Sequence, residues 1–273
     1  MCTAFLSLNQ NKNYPLIILL NRDEYYSRQT KPAHKWSGSP IIGGLDQSSG
    51  GTWFAYDSKK HFALLTNIRK APSEKSNAPS RGQIIPTVLE HFESILDNPA
   101  KLKKLLADYR DFNLLFGAAQ KGIYFYSSRG LMEKLEDGIH ALSNASLNSA
   151  WPKTEKGLPL FEKIIHDFGS KESFGDAFKM MTDQTKCELS ELPETGLPHE
   201  IEIFLSSRFI EGEHYGTRSL SIYFQTNTFK EGFLEISFAK GGKLQELNFF
   251  RDLKWAGSFE SFESFKDSKI WRL

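Results

Sequence analysis

Cys2 is the residue around which chemistry is most readily built. Its side chain is small enough for initiator-methionine processing, and removal of Met1 would give one residue both a thiol and a free α-amine. An α-amine titrates near roughly 7.7–8.0 and a thiol near roughly 8.5. Close to neutral pH a fraction of the amine is therefore unprotonated and can take the thiol proton, directly or through water. Nucleophile and base then sit in one residue and no histidine is required. The plainer alternative is a buried cysteine that opens an edge strand.

Other polar residues bear on that choice. Asn21-Arg22-Asp23-Glu24 directly follows the apolar run Pro15 to Leu20. Four polar residues at the end of a buried strand need partners, because unpaired buried charge is costly. Arg22 could pair with Asp23 or lower the thiol pKa, and Asp23 could hold the ammonium of Cys2. Asn67 and Asn144 each stand just after an apolar run, where a side-chain amide can donate to a developing oxyanion. Arg218, in Tyr215-Gly216-Thr217-Arg218-Ser219, opens a strand and could stabilise negative charge. The structural alternatives are a solvated strand end, two turn asparagines and a surface arginine.

Other chemistries leave no mark. There is no Gly-x-x-x-x-Gly-Lys-Ser/Thr loop, no GxGxxG after a strand, no HExxH and no CxxC. The seven histidines are scattered, with no pair at i, i+4, and no metal site is expected. Asn144-Ala145-Ser146 matches a glycosylation sequon, but no secretory signal accompanies it.

The elements that must position these residues are mostly strands. Cys2 to Leu8 and Pro15 to Leu20 predict a buried hairpin turned at Asn9 to Asn13. Tyr25 to Gly51 reads as loop. Trp53 to Tyr56 and His61 to Thr66 predict a second hairpin, and a polar loop spans 71–79. Ser80 with Gln83 suggests a capping box for a helix reaching Leu96, and a further helix is expected from Pro99 to Tyr109. Short strands follow at Phe112 to Phe116, Gly122 to Tyr126 and Ile139 to Leu142. Helices are expected from Pro152 to His166 and from Ser173 to Met181. The last third reads as strands at Ile201 to Leu205, Thr217 to Gln225, Gly232 to Phe238 and Lys243 to Phe250. Gly241-Gly242 turns the final pair. The order lacks strict βαβ alternation, so two antiparallel sheets with helices packed outside are expected, as one domain over residues 1–273.

Composition sets the outer limits. The 273 residues carry 34 basic and 33 acidic side chains for a net charge of +1, which argues against nucleic-acid or anionic-membrane binding. Two cysteines indicate a reducing compartment, and no apolar run approaches the roughly 20 residues of a membrane helix. The expectation is a cytoplasmic protein without an integral membrane segment.

Several strings occur together and in order: Cys2, Asn21-Arg22-Asp23-Glu24, Gly43-Gly44-Leu45-Asp46, Gly50-Gly51-Thr52-Trp53, Thr66-Asn67-Ile68-Arg69, Ser80-Arg81-Gly82, Ser143-Asn144, Trp151-Pro152-Lys153 and Tyr215-Gly216-Thr217-Arg218-Ser219. In this combination the chain resembles the NRDE family, also described as the transport and Golgi organisation protein two family. That family in turn resembles the N-terminal-nucleophile hydrolases, in particular the cysteine branch with penicillin V acylases and bile-salt hydrolases. The resemblance implies a four-layer αββα sandwich of two mainly antiparallel sheets, with Cys2, Arg22, Asp23, Asn67, Asn144 and Arg218 as site residues. In the hydrolases the arginine and aspartate are separated, whereas Arg22 and Asp23 are adjacent. One of them is therefore expected to face away, with Asn21 or Glu24 in the vacated role.

Two functional readings follow. In the first, the protein is a cysteine amidohydrolase that cleaves a linear, non-peptide amide of a small molecule through Cys2 and needs no cofactor. In the second, it binds haem or an acyl-CoA-type lipid without chemistry, with Trp36, Trp53 and Tyr56 lining an apolar site.

Overall fold

The computed structural model describes residues 2–69, 78–130 and 132–272. Met1 and nearly all of the polar loop expected over 71–79 lie outside the described residues. The chain forms two compact units that are interleaved in sequence. One comprises Met1–Ser27, Glu136–Ser143 and Leu147–Leu273, and the other Arg28–Leu135 and Asn144–Ser146.

In chain order the strands are β1 (Cys2–Leu8), β2 (Leu16–Tyr25), β3 (Thr30–Lys35), β4 (Ile42–Asp46), β5 (Phe54–Tyr56), β6 (Phe62–Asn67), β7 (Phe112–Ala118), β8 (Gly122–Ser127), β9 (Met132–Lys134), β10 (Gly138–Leu142), β11 (Tyr215–Gln225), β12 (Glu231–Phe238), β13 (Leu244–Arg251) and β14 (Lys254–Phe259). The helices are α1 (Ile84–Glu90), α2 (Phe92–Asp97), α3 (Ala100–Leu105), α4 (Pro152–Glu155), α5 (Leu158–His166), α6 (Lys171–Met181), α7 (His199–Phe204) and α8 (Phe262–Ser268). The class is α+β, with two antiparallel seven-stranded sheets as the order of elements predicts.

The first unit holds the sheet β10-β1-β2-β11-β12-β13-β14. Its founding hairpin pairs β1 with β2 from Cys2 opposite Arg22 to Leu8 opposite Leu16. The turn is made by Asn11, whose side-chain oxygen accepts from the Asn13 and Tyr14 amides. This is the local bonding that suits asparagine to turns. Because strand side chains alternate between faces, Phe5, Ile17, Leu19, Leu220, Ile222, Phe224 and Leu234 line one face. Phe161 of α5, Phe174 and Met181 of α6, and Phe265 of α8 pack with them in one core. Burying each such side chain contributes about 1.5–3 kcal/mol. The abundance of phenylalanine therefore serves the core of this unit.

The second unit holds the sheet β3-β4-β5-β6-β7-β8-β9. Ala55, Leu65, Leu114 and Phe116 pack with Ile84, Val88, Phe92 and Leu102 of the helices α1 to α3. Two glycine strings meet here. A Cβ on Gly51 would lie 2.3 Å from the Gly82 carbonyl carbon, and the Thr52 amide donates to the Gly82 oxygen at 3.0 Å. Backbone packs directly on backbone, which only glycine allows.

Several elements differ from expectation. Residues 201–205 were expected as a strand, but His199–Phe204 is a helix in which Ile201 is exposed and Glu202 buried. Periodicity cannot separate strand from helix over so short a run, and the acidic residues Glu200 and Glu202 fall in its first turn, where the helix dipole favours them. The span 25–51 contains β3 and β4. Gly43 is a strand residue because a Cβ there would meet the Phe54 carbonyl of β5 at 2.5 Å. The Ser80–Gln83 box does not form, since Gln83 donates instead to the Ser49 carbonyl, and the helix after it breaks at His91 into α1 and α2. The helix expected over 99–109 is limited to α3. The helix expected from Pro152 divides into α4 and α5 at Gly157, where a Cβ would strike the Phe5 ring. Ser170, rather than Ser173, caps α6, and Ser173 completes its capping box. Gly241 and Gly242 turn β12 into β13 with φ of 76° and 63°, as expected. No signal anticipated β14 or α8.

Candidate functional site

In the first unit, Cys2 begins β1 directly opposite Arg22 of β2, and Arg22 stands opposite Ser219 of β11. Register partners share a face, so the thiol, the guanidinium and the Ser219 hydroxyl lie in one row across three strands. Asp23 takes the next position on β2 and therefore the opposite face, the face on which Asn21 also lies. Fractional exposures of 7%, 4% and 1% for Cys2, Arg22 and Asp23 place all three in the interior. The adjacency of Arg22 and Asp23 thus has a simple outcome: one serves the thiol's face and the other its reverse.

A β-bulge explains how β11 meets both faces. Thr217 opposes Asp23 and Ser219 opposes Arg22, with Arg218 as the extra residue between them. The Thr217 hydroxyl donates to Asp23 Oδ1 at 2.7 Å and accepts from the Ile210 amide at 2.9 Å. The Tyr215 hydroxyl donates to the Asp23 carbonyl at 2.9 Å. The roles of Thr217 and Ser219 are not legible in the sequence. Loss of strict alternation at the bulge hides their register from a sequence pattern.

Asn21 is bonded to main chain on the face opposite the thiol's. Its Nδ2 donates to the Met181 and Arg208 carbonyls at 2.7 and 2.8 Å, tying β2 to the end of α6. Glu24 accepts from the Tyr25 amide at 2.9 Å. Arg218 is half-buried. Its Nη1 donates to the Tyr25 and Tyr26 carbonyls at 3.1 and 3.3 Å, and its guanidinium lies 5.7 Å from the centre of the Tyr26 ring. Burial and the neighbouring Arg22 charge lower its pKa from the usual arginine value. These contacts hold the strand corner together while keeping a cation there.

Burial pushes the Cys2 thiol above the ordinary thiol value, with the N-terminal ammonium and Arg22 opposing the rise and Asp23 and Glu24 adding to it. A thiol raised in this way stays protonated at neutral pH, so it needs a base before it can attack. The carbonyl of Cys2 accepts from the Ser143 hydroxyl at 3.4 Å, which links β1 to the end of β10.

Asn67 and Asn144 belong to the second unit, where they are bonded to each other. Asn144 Nδ2 donates to the Asn67 carbonyl at 2.8 Å, and the Arg69 amide donates to the Asn144 carbonyl at 2.7 Å. Asn113, which was not anticipated, donates to the Ala145 carbonyl at 2.6 Å and fastens the short 144–146 segment to β7. Asn144 is fully buried, so its sequon is closed to glycosylation in the folded protein. Trp53 and Tyr56 are buried, and Trp36 Nε1 donates to the Gly43 carbonyl at 3.1 Å. These three aromatics are part of the packing of the second unit. Among the described residues no group of three or more His, Cys, Asp or Glu side chains is placed to hold a metal.

Among the described residues no helix is long and apolar enough to cross a membrane. The family described as Transport and Golgi organisation 2 matches residues 1–240. A bovine (Bos taurus) Transport and Golgi organization protein 2 homolog is 36% identical over 182 residues, covering 60% of this chain and 64% of that protein. The human (Homo sapiens) homolog is 35% identical over 183 residues with the same coverage. The chain thus matches less than two thirds of the length of these relatives. Transport and Golgi organization protein 2 of Drosophila melanogaster is 27% identical over 259 residues, covering 86% of this chain and 91% of that protein. Two solved structures are similar more distantly, each at 10% identity. One is a Caenorhabditis elegans N-acylethanolamine-hydrolyzing acid amidase ortholog (TM-score 0.41; 81% of this chain, 92% of that one). The other is the C2A mutant of conjugated bile acid hydrolase from Clostridium perfringens (TM-score 0.38; 90% and 96%). With the ordered strings from Cys2 to Ser219 and a family match over residues 1–240, this chain belongs to the Transport and Golgi organisation 2 family.

Proposed function

We propose that the protein is an N-terminal-nucleophile cysteine amidohydrolase acting on a linear, non-peptide carbon–nitrogen bond of a small molecule. The observation that carries this reading is the start of β1: the Cys2 thiol shares a face with Arg22, and a braced carboxylate, Asp23, lies on the reverse face of the neighbouring strand. Once Met1 is removed, the α-amine of Cys2 takes the thiol proton, and Sγ attacks the amide carbonyl carbon. Amide N–H donors stabilise the oxyanion that forms. The α-ammonium then gives its proton to the leaving nitrogen as the C–N bond breaks, leaving a thioester on Sγ. The amine next accepts a proton from water, whose oxygen attacks the thioester. Departure of the acid returns the proton to sulfur. Asp23 orients the ammonium, while Arg22 and Arg218 supply positive charge.

The test combines intact mass with turnover. Mature protein lacking one methionine should hydrolyse members of a panel of acyl amides, and Cys2→Ala should abolish that turnover. Retention of Met1 in an active preparation, or unchanged turnover in Cys2→Ala, sinks the mechanism.

A second reading, ligand binding without chemistry, is favoured by one feature. A cleft of about 610 Å³ in the first unit is bordered by Leu160, Ile164 and Met180 together with Lys163, Lys179, Asp176 and the Arg208–Asp183 ion pair. Its size and mixed lining suit an acyl-CoA-type or lipid anion; haem remains the other candidate ligand. Titration with haem followed by absorbance, and with a medium-chain acyl-CoA followed by calorimetry, distinguishes these ligands. Absence of saturable binding by either counts against this reading.

A further inference from the structure

We propose that Thr217 is a positioning residue whose hydroxyl locks the Asp23 carboxylate in the orientation that serves the α-amine of Cys2. The inference rests on the hydrolase reading and extends it to a residue outside the assigned site.

The direction of the hydrogen-bond chain follows from valence alone. The Ile210 amide can only donate, so at 2.9 Å the Thr217 oxygen is its acceptor. The hydroxyl proton is then left for Asp23 Oδ1 at 2.7 Å. A hydroxyl that is committed at both ends cannot rotate, and threonine is stiff at χ1 as well. Thr217 is 1% exposed, so no bulk water competes for either bond. Two more contacts hold the frame: the Thr217 amide donates to the Ile210 carbonyl at 2.8 Å, and the Tyr215 hydroxyl donates to the Asp23 carbonyl. The bulge at Thr217 and Ser219 is the device that turns Thr217 toward Asp23 while Ser219 faces Arg22.

Asp23 matters to Cys2 through its charge. Beyond burial, the charges acting on the thiol are the N-terminal ammonium and Arg22, which favour its ionisation, and Asp23 and Glu24, which disfavour it. Around the same corner burial and the Arg22 charge lower the Arg218 pKa, and Tyr26, raised first by burial, also feels Glu211, Arg218 and Asp23. A fixed negative carboxylate raises the pKa of both a nearby thiol and a nearby ammonium. Releasing the carboxylate should let both fall. A hydrogen bond to a buried charge is worth about ten- to a hundredfold in an equilibrium.

The experiment measures the rate of iodoacetamide alkylation of Cys2 against pH by peptide mass spectrometry, for processed wild type, Thr217→Val, Thr217→Ser and Asp23→Asn. Thr217→Val should move the midpoint to lower pH by up to about one unit, the lower end of that range, because the freed carboxylate stays charged. Thr217→Ser keeps the hydroxyl and should retain the wild-type midpoint. Thr217→Val added to Asp23→Asn should shift it no further. Loss of packing alone would lower the melting temperature of Thr217→Val without moving its midpoint. A midpoint that moves in Asp23→Asn but not in Thr217→Val overturns the positioning role and leaves the hydrolase reading intact. Midpoints unmoved in both variants overturn the positioning role together with the part assigned to Asp23. If Thr217→Val does not fold, Thr217→Ala is the substitute, with the same outcomes. The readout needs no turnover, so it holds even if no substrate is cleaved.

Discussion

Replacing Asn21 by alanine separates structure from chemistry at the string that most resembles an active site. The side chain is buried, and its Nδ2 donates to two main-chain carbonyls, Met181 at 2.7 Å and Arg208 at 2.8 Å. Alanine removes both donors. Leaving a buried acceptor without its donor costs about 1–3 kcal/mol, so two cost about 2–6 kcal/mol. Asn21 Oδ1 is itself buried and has no hydrogen-bond partner among the described residues. Its removal returns about 1–2 kcal/mol. The net expectation is a loss of about 3 kcal/mol, or about 6–9 °C in melting temperature for a chain of this size. Guanidinium unfolding followed by tryptophan fluorescence measures the loss, and the pH midpoint of Cys2 alkylation measures any effect on the site. The two carbonyls lie at the end of α6 and in the segment before β11, and Asn21, unlike Asp23 on the same face, carries no charge to act on the thiol. The midpoint should therefore stay at its wild-type value. A stability loss below about 1 kcal/mol would refute the bonding argument. A midpoint shifted as in Asp23→Asn would refute the assignment of Asn21 to structure.

Two further outcomes follow from the geometry. Gly51→Ala places a methyl group 2.3 Å from the Gly82 backbone and should cost about 1–3 kcal/mol in chemical denaturation, since neither partner is a side chain that can swing aside; a neutral substitution would mean the two strings do not pack as described. The raised Cys2 thiol links stability to pH. The unfolded chain loses its thiol proton at the ordinary value while the folded chain holds it, so this contribution is complete below about pH 8.5 and is lost as pH rises above that value. Cys2→Ala should flatten the decline above roughly pH 8.5, and equal slopes in the two proteins would contradict the burial effect.

Much of the scaffold is legible from residue order. The hairpin of β1 and β2 follows from two apolar runs around an asparagine-rich turn, and the β12–β13 hairpin from Gly241-Gly242. These are local signals, and local sterics are enough to produce them. The misread helix α7 shows the limit. Ile201 and Glu202 follow the same alternation as a half-buried strand, yet it is Glu202 that is buried, with Thr195 donating to its carboxylate. That partner is seven residues away and invisible to a periodicity argument. The strand β4 was hidden for a related reason, because its Gly43 answers the approach of β5 rather than a turn.

By itself, the sequence determines which chemistry is on offer. It places one thiol at position 2, an arginine and an aspartate at the end of the second strand, and a late Thr217-Arg218-Ser219 string, and it excludes the familiar metal and phosphate motifs. Composition and order can do this because reactivity belongs to residue types. Only the tertiary structure decides which group faces which. Pairing Cys2 with Arg22 puts the guanidinium on the thiol's face, alternation puts Asp23 on the reverse, and a bulge in a strand nearly two hundred residues away brings Thr217 to that carboxylate. Facing is a property of register, and register is set by the packing of whole strands against their neighbours.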